Sequence, residues 1–306
     1  MAAMGTPLVL MRPVNLIAEH VLLLSPMPCS ARLSSPNGSK MSDTPNAPVT
    51  YVIRDSVATI ALNRPESMNS LTVDSKVALR DAVHQAASDS EVRCVVLTGS
   101  GRAFCVGQDL NEHVAELKGT AQSLSATVAE HYNPIVTALA TMPKPVIAAV
   151  NGVAAGAGAS LAFACDFRIL VDTAGFNTAF AGIALSCDTG SSWTLPRLIG
   201  HAKATELLLM PRTVKAEEAL ALGLATSVVG AEDFESAVWD LASRLAQGPT
   251  VAYASIRRAL AYSATNDLAS SLEHEGQKMA LTGATADHLA AVDAFLAKEQ
   301  PTFEGR

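Results

Sequence analysis

Short apolar runs alternating with amphipathic stretches organise the chain from residue 49 onward. Residues 51–55 and the alternating Val57-Ala-Thr-Ile-Ala-Leu62 predict two strands joined by a tight turn at Asp55-Ser56. Cys94-Val-Val-Leu-Thr98, Val146-Ile-Ala-Ala-Val150 and Phe167-Arg-Ile-Leu-Val171 are almost continuously apolar, the pattern of strands buried on both faces. Between the strands the period changes. Val73, Val77, Leu79, Ala82, Val83 and Ala86 recur at helical spacing behind Thr72, a fitting N-cap. A second helix is predicted over 121–139, ending before Pro143 and Pro145, and a third over 156–164. This alternation implies crossover units on a sheet covered on both sides, hence an α/β fold. Beyond Gly200 the pattern is helical over 202–210, 215–221, 233–246, 249–263, 267–281 and 284–297, with an extended piece at 226–229.

The first 48 residues read differently. They hold seven of the 15 prolines and five charged side chains. An apolar run over 9–24 suggests a signal peptide, but Pro13, Glu19 and His20 break it and no small-residue cleavage site follows. The expectation is a flexible leader over 1–48, with Met41 a candidate start, then an α/β core over 49–200 and a helical region over 201–306. With 49% apolar residues and only 5% aromatics, the core must be filled by Ala, Leu and Val. A net charge of −7 argues against nucleic acid as a partner. No apolar run reaches the roughly 18 residues that cross a bilayer. The five cysteines show no disulfide or metal-ligand spacing, which points to a reducing, cytoplasmic setting and to no metal.

Three segments could carry chemistry. Residues 101–110 and 151–159 follow apolar strands and are rich in glycine and alanine, so backbone can approach a ligand closely. Two such strand ends could aim two N–H groups at one oxygen, as an oxyanion hole requires. A phosphate loop competes, although neither GxxxxGK[ST] nor GxGxxG is present, and close helix–strand packing explains the same residues without function. In the third segment, Leu185-Ser-Cys-Asp-Thr-Gly-Ser-Ser-Trp193, Asp188 either caps the following helix or is a partly buried carboxylate suited to proton transfer. Trp193 and Cys105 read as packing residues, and Asp166 as structural; His84, His201, His274 and His288 read as solvent-exposed. His131 and Tyr132 either line a pocket or pack in the core.

Together, Arg102-Ala-Phe-Cys-Val-Gly-Gln-Asp-Leu110, Pro143-Lys-Pro-Val-Ile-Ala-Ala-Val-Asn-Gly152, Ala155-Gly-Ala-Gly158 and Cys165-Asp166 resemble the crotonase (enoyl-CoA hydratase/isomerase) superfamily. Asn63-Arg-Pro-Glu66, Met68-Asn69-Ser70-Leu71 and the stretch 213–224 extend the resemblance over about 49–306. Within it, the loop 183–197, Gln108-Asp-Leu-Asn111, His131-Tyr-Asn-Pro134 and the terminal Phe295-Leu-Ala-Lys298 look like the branch of ring-epoxide isomerases of aryl-acetyl-CoA and 3,2-enoyl-CoA isomerases.

The resemblance implies a spiral of ββα units with a C-terminal helical oligomerisation region, assembled as a homotrimer or dimer of trimers. It implies an acyl-CoA thioester as substrate, with no cofactor beyond the coenzyme A the substrate carries. The backbone N–H groups of Gln108 and Ala157 would form the oxyanion hole, and Asp188 would be catalytic, shuttling one proton. Ala103, Asp109, Leu110 and Asn111, with Tyr132, Phe180 and Lys298, would bind substrate or CoA, Lys298 by reaching a 3′-phosphate in a neighbouring subunit. The two glutamates of family hydratases fall on Ser160 and Phe180, neither of which can activate water. The implied activity is therefore isomerisation of a double bond or ring epoxide. Hydration, an aryl-CoA dehalogenase or hydrolase-like reaction, and non-catalytic acyl-CoA binding are the alternatives. Aryl-CoA dehalogenases of the superfamily carry Trp where this chain has Phe180.

Overall fold

The computed structural model describes residues 47–118 and 126–306. Most of the expected leader, and the start of the helix expected over 121–139, lie outside the described residues. Strands β1 (Val49–Arg54) and β2 (Val57–Leu62) form a hairpin whose two turn residues, Asp55 and Ser56, sit at φ 48° and 61°. Positive φ at both central residues matches the right-handed twist of the flanking strands. Helix α1 (Val73–Ser88) follows, with the Thr72 hydroxyl accepting from the Ser75 N–H. Its buried side includes Lys76, Leu79, Ala82, Val83 and Ala86, whereas Val73 is exposed. A lysine thus occupies the apolar stripe where the sequence pattern suggested valine.

Three units then repeat one plan, a strand in each of two sheets. The first is β3 (Cys94–Gly99), β4 (Ala103–Cys105) and helix α2 (Leu110–Leu117). A π-helical turn, Val128–Tyr132, leads into α3 (Asn133–Thr141). The second unit is β5 (Val146–Val150), β6 (Val153–Ala155) and α4 (Ala157–Phe163). The third is β7 (Phe167–Val171), β8 (Gly175–Asn177) and a 3₁₀ turn, Phe180–Ile183. Later come α5 (Ser191–Leu209), β9 (Val214–Lys215), α6 (Ala216–Leu222) and β10 (Ser227–Val229). The large sheet has the order β1-β2-β3-β5-β7-β10 and the small one β4-β6-β8-β9. Pairing is parallel except in β1/β2 and β8/β9. The chain therefore winds as a spiral of ββα units, as the family resemblance implied. The small sheet escaped the periodicity reading because its strands are two or three residues long, β4 and β6 lie in segments that read as glycine-rich loops, and β9 overlaps the start of the helix expected over 215–221.

The apolar runs have a direct cause. On β3, Val95 and Leu97 face one core cluster while Cys94 and Val96 face the other. On β5, Val146, Ala148 and Val150 alternate in the same way with Ile147 and Ala149. Helix α1, α3 and α4 side chains fill the first cluster. Helix α7 (Phe234–Ala246) closes the second with Val238, Ala242, Leu245 and Ala246. Both faces of the large sheet are covered, so little alternation survives in the sequence.

The stretch α5 is two helices that meet at Gly200, whose φ 76° and ψ 159° are not helical; the second corresponds to the helix expected over 202–210. Strands β9 and β10 add the later chain to both sheets, so the region beyond 200 completes the core as well as extending from it. Helices α8 (Thr250–Ser263), α9 (Leu268–Gly283) and α10 (Ala286–Ala297) follow. They leave Leu268, Leu272, Met279, Leu289, Phe295 and Leu296 exposed. Among the described residues, no helix is long and apolar enough to cross a membrane, and no group of His, Cys, Asp or Glu is placed to hold a metal ion.

Candidate active site

A cavity of about 1060 Å³ lies among the segment 106–113, the π turn with Asn133, the start of α4 and the loop 179–190. Two glycines bring the first and third of these together. A Cβ on Gly158 would lie 2.1 Å from the Cys105 carbonyl oxygen, and one on Gly107 (φ 87°) 3.0 Å from that of Ala155. Only backbone without side chains can pack this closely. Leu71 then sets the orientation of the peptide: its N–H donates to Gly107 O (2.8 Å) and its carbonyl accepts from the Asp109 N–H (3.1 Å). In such a parallel ladder the intervening residue, Gln108, turns its own N–H the other way. Ala157 opens α4, where the first N–H groups of a helix lack intrahelical acceptors. Among the described residues neither the Gln108 nor the Ala157 N–H donates to another group. Two donors from adjacent segments thus border one cavity, the arrangement an oxyanion hole needs.

Among the described residues, two carboxylates line the cavity. Asp109 caps α2: its Oδ1 accepts from the N–H groups of Asn111 (3.0 Å) and Glu112 (3.4 Å). Its Oδ2 accepts from the Ser70 hydroxyl (2.7 Å) and the Arg64 guanidinium (3.2 Å). The Ser70 hydrogen bond, with the Arg64 and backbone donors, holds its carboxyl below the usual range. Asp188 is the opposite case. Its side chain accepts from the Thr189 hydroxyl at 2.8 Å, and the helix that follows begins at Ser191 without a side-chain cap. Burial raises its pKa, against the Thr189 hydrogen bond, the aspartate's own N–H and the charge of Lys76. A carboxylate whose pKa is raised in this way is better suited to taking and returning a proton than a free aspartate. The loop that carries it holds Ala179, Ala184 and Thr189 at φ 58°, 58° and 52°. Non-glycine residues in the left-handed region each cost about 1–3 kcal/mol and cluster where geometry is functional.

Of the residues expected at the site, Gln108, Asp109, Leu110, Asn111, Tyr132, Ala157, Phe180 and Asp188 line this cavity. Two stand elsewhere. Ala103 is buried in β4, its carbonyl accepting from Asn69 (2.7 Å) and Asn151 (3.3 Å), and Lys298 ends α10 on the surface. Ser160 is fully buried, bonds to the Gly156 carbonyl and the Ser191 hydroxyl, and does not itself line the cavity. Trp193 is 42% exposed with Arg197 over its ring, so Phe180 and Leu185, and not Trp193, form the apolar side near Asp188. Cys105 is buried, its thiol pushed up to about 12, in keeping with a packing role. Asp166 accepts from the Val146 N–H and from Arg257, as a structural residue should. His131 does not line the cavity, and His274 is half-buried and stacked on Tyr262, unlike the exposed residue expected.

Two residues escaped the sequence reading. His113 lines the cavity from α2, in a stretch too short to show periodicity. Lys76 is fully buried beneath it: its Nζ lies 3.0 Å from Gln108 Oε1 and 3.0 Å from Thr127 Oγ1. A charge three residues before Leu79 and seven before Val83, on an apolar stripe, was the available signal.

Comparison with known proteins bears on this geometry. The family model described as enoyl-CoA hydratase/isomerase matches residues 52–306. The 1,2-epoxyphenylacetyl-CoA isomerase of Escherichia coli (strain K12) is 41% identical over 254 residues, 83% of this chain and 97% of that protein. A Rhodobacter capsulatus protein named "Probable enoyl-CoA hydratase" is 42% identical over 258 residues, 84% of this chain and 98% of its own. The crystal structure of an enoyl-CoA hydratase from Bacillus anthracis superposes with a TM-score of 0.80 at 31% identity, covering 85% of this chain and all of the other.

Proposed function

We propose that this chain, which belongs to the enoyl-CoA hydratase/isomerase family, is an acyl-CoA isomerase working with a single carboxylate. Asp188 removes a proton from C2 of a 3-enoyl-CoA, and the electron pair moves into the thioester carbonyl. The N–H groups of Gln108 and Ala157 hold the resulting enolate oxygen. The same carboxyl then returns the proton to C4, leaving the double bond between C2 and C3. On an aryl-acetyl-CoA that bears a ring epoxide, the same C2 deprotonation would open the strained ring. An aligned donor is worth roughly 10²–10³ in rate.

The observation that carries this reading is the contrast in donors around the two cavity carboxylates. Asp109 is tied by four hydrogen bonds, while Asp188 has its pKa raised by burial. Hydration requires a second free acid/base, and the positions the family uses hold a buried Ser160 and an apolar Phe180. Nucleophilic attack by Asp188 on an aryl ring, as in dehalogenation, shares its position but lacks the Trp of those relatives. Phe180, Ile183, Leu185 and Val128 in the lining suit an apolar acyl group. The exposed apolar side chains on α9 and α10 support assembly into a trimer or dimer of trimers, in which Lys298 would meet the CoA 3′-phosphate of a neighbour. Free thiols at Cys94, Cys105, Cys165 and Cys187 suit a cytoplasmic setting.

Incubation with 3-enoyl-, 2-enoyl- and epoxyphenylacetyl-CoA, followed by mass spectrometry and absorbance, tests the reading. Asp188→Asn should lose turnover while retaining acyl-CoA binding. Equal turnover by the two proteins would refute it.

A further inference from the structure

Lys76 lies on α1, outside every motif that marks the family resemblance, yet it is fully buried. Burying an ammonium in place of an apolar side chain costs several kcal/mol unless its bonds and field are used. Its Nζ donates to the Gln108 side-chain oxygen and to Thr127 Oγ1, each at 3.0 Å, and stands 5.5 Å from the centroid of the Tyr132 ring. The Tyr132 hydroxyl donates to the same Gln108 oxygen at 2.6 Å. Two donors on one amide oxygen fix the side chain, while Leu71 fixes the backbone from the other side.

We propose that Lys76 is a positioning residue of the oxyanion site: its ammonium, bonded to the Gln108 side chain, orients the peptide that supplies one N–H donor and places positive charge beside the developing enolate. The inference rests on the reading of Gln108 as an oxyanion donor. Lys76 need not touch substrate. It acts through Gln108, and its charge also favours the ionised form of Asp188. Among the described residues, the other titratable groups lining the cavity are Asp109, His113, Tyr132 and Cys187. Of these, Asp109 has its charge satisfied by Arg64. Misplacing a donor by about 1 Å can cost 10²-fold in rate.

A chromophoric acyl-CoA that cannot isomerise, 4-dimethylaminocinnamoyl-CoA, reports carbonyl polarisation by a red shift on binding. Lys76→Gln keeps a hydrogen-bond donor without charge, and Lys76→Arg keeps the charge. The wild type and K76R should red-shift the probe, and K76Q should lose most of the shift while still binding it. With a turned-over substrate, K76Q should lose roughly 10- to 100-fold in kcat with KM little changed. Its acid limb should also move to higher pH, because Asp188 loses a favourable charge. A wild-type shift and kcat in folded K76Q would overturn the proposal. Failure of K76Q to fold would overturn it equally, since the residue would then belong to the core. If the wild type isomerises nothing, the isomerase reading fails, but the difference in probe shift still decides the role of Lys76.

Discussion

Asp109 enters the cavity from the start of α2 and accepts four hydrogen bonds, whereas Asp188 enters from a loop with left-handed residues and accepts from one neighbouring side chain, Thr189. The same functional group therefore meets two environments in one pocket. Asp109 has its charge consumed by the Ser70 hydroxyl, Arg64 and two helix N–H groups, so its carboxyl ionises easily and holds α2 in place. Asp188, which shares the cavity lining with Phe180 and Leu185, has its pKa raised by burial, so its carboxyl ionises reluctantly. Environments that push two carboxyl pKa values apart also assign their roles. A cavity-lining carboxylate is a candidate base only after its donors have been counted.

The sharpest way to break this comparison is to neutralise each carboxylate in turn. Asp188→Asn should lower turnover by about 10³–10⁴-fold with acyl-CoA binding kept, measured by product formation and calorimetric titration. Gly158→Ala isolates the donors from both carboxylates. Its Cβ would fall 2.1 Å from Cys105 O, separating the two segments and costing roughly 10²–10³ in kcat. Asp109→Asn should change kcat far less than Asp188→Asn. It should instead lose about 1–2 kcal/mol of stability in denaturant unfolding, because an amide keeps the helix cap but not the charge that pairs with Arg64. If Asp109→Asn abolished turnover in a folded protein, the assignment of roles would be wrong.

Acid dependence separates the pair further. Asp188 has a folded pKa raised above its unfolded value, so its ionisation on raising the pH through the folded pKa destabilises the fold. Asp188→Asn should therefore gain slightly in Tm at neutral pH, and the gain should vanish in acid. Asp109 has a depressed folded pKa, so its contribution is present above the unfolded pKa and lost as pH falls through the folded one. The penalty of Asp109→Asn should accordingly shrink in acid. Activity adds a third mark: kcat/KM should fall on an acid limb that lies above the ordinary aspartate value of 3.8.

Much of this was legible in the chain because it depends on local pattern. The long strands announce themselves as apolar runs, since β3 and β5 are buried on both sides. The Thr72 cap and the Asp55-Ser56 turn follow from residue type alone. The segments proposed to supply the oxyanion donors, and Asp188, stood out through their motifs. What stayed hidden depends on contacts distant in sequence. The small sheet forms only because Gly152 and Gly158 let backbones touch. The tie between Asp109 and Arg64 spans 45 residues, and that between Lys76 and Gln108 spans 32, so neither leaves a local trace. The helix expected over 202–210 is present after Gly200, whose φ 76° and ψ 159° end one helix and start the next, whereas the helix before it, from Ser191, went unread because its start lies in the loop segment around Asp188.

The most direct test of the one-carboxylate account joins the mass of the product to the absorbance of its conjugated thioester. The protein is supplied separately with a 3-enoyl-CoA and with crotonyl-CoA, and each mixture is followed by mass spectrometry and by the absorbance of the conjugated enoyl thioester. Conversion of the 3-enoyl-CoA to a conjugated 2-enoyl-CoA of unchanged mass, with crotonyl-CoA left unhydrated, is the predicted result. Rapid gain of one water by crotonyl-CoA would contradict it, because neither Ser160 nor Phe180 could then be the inert residue described above.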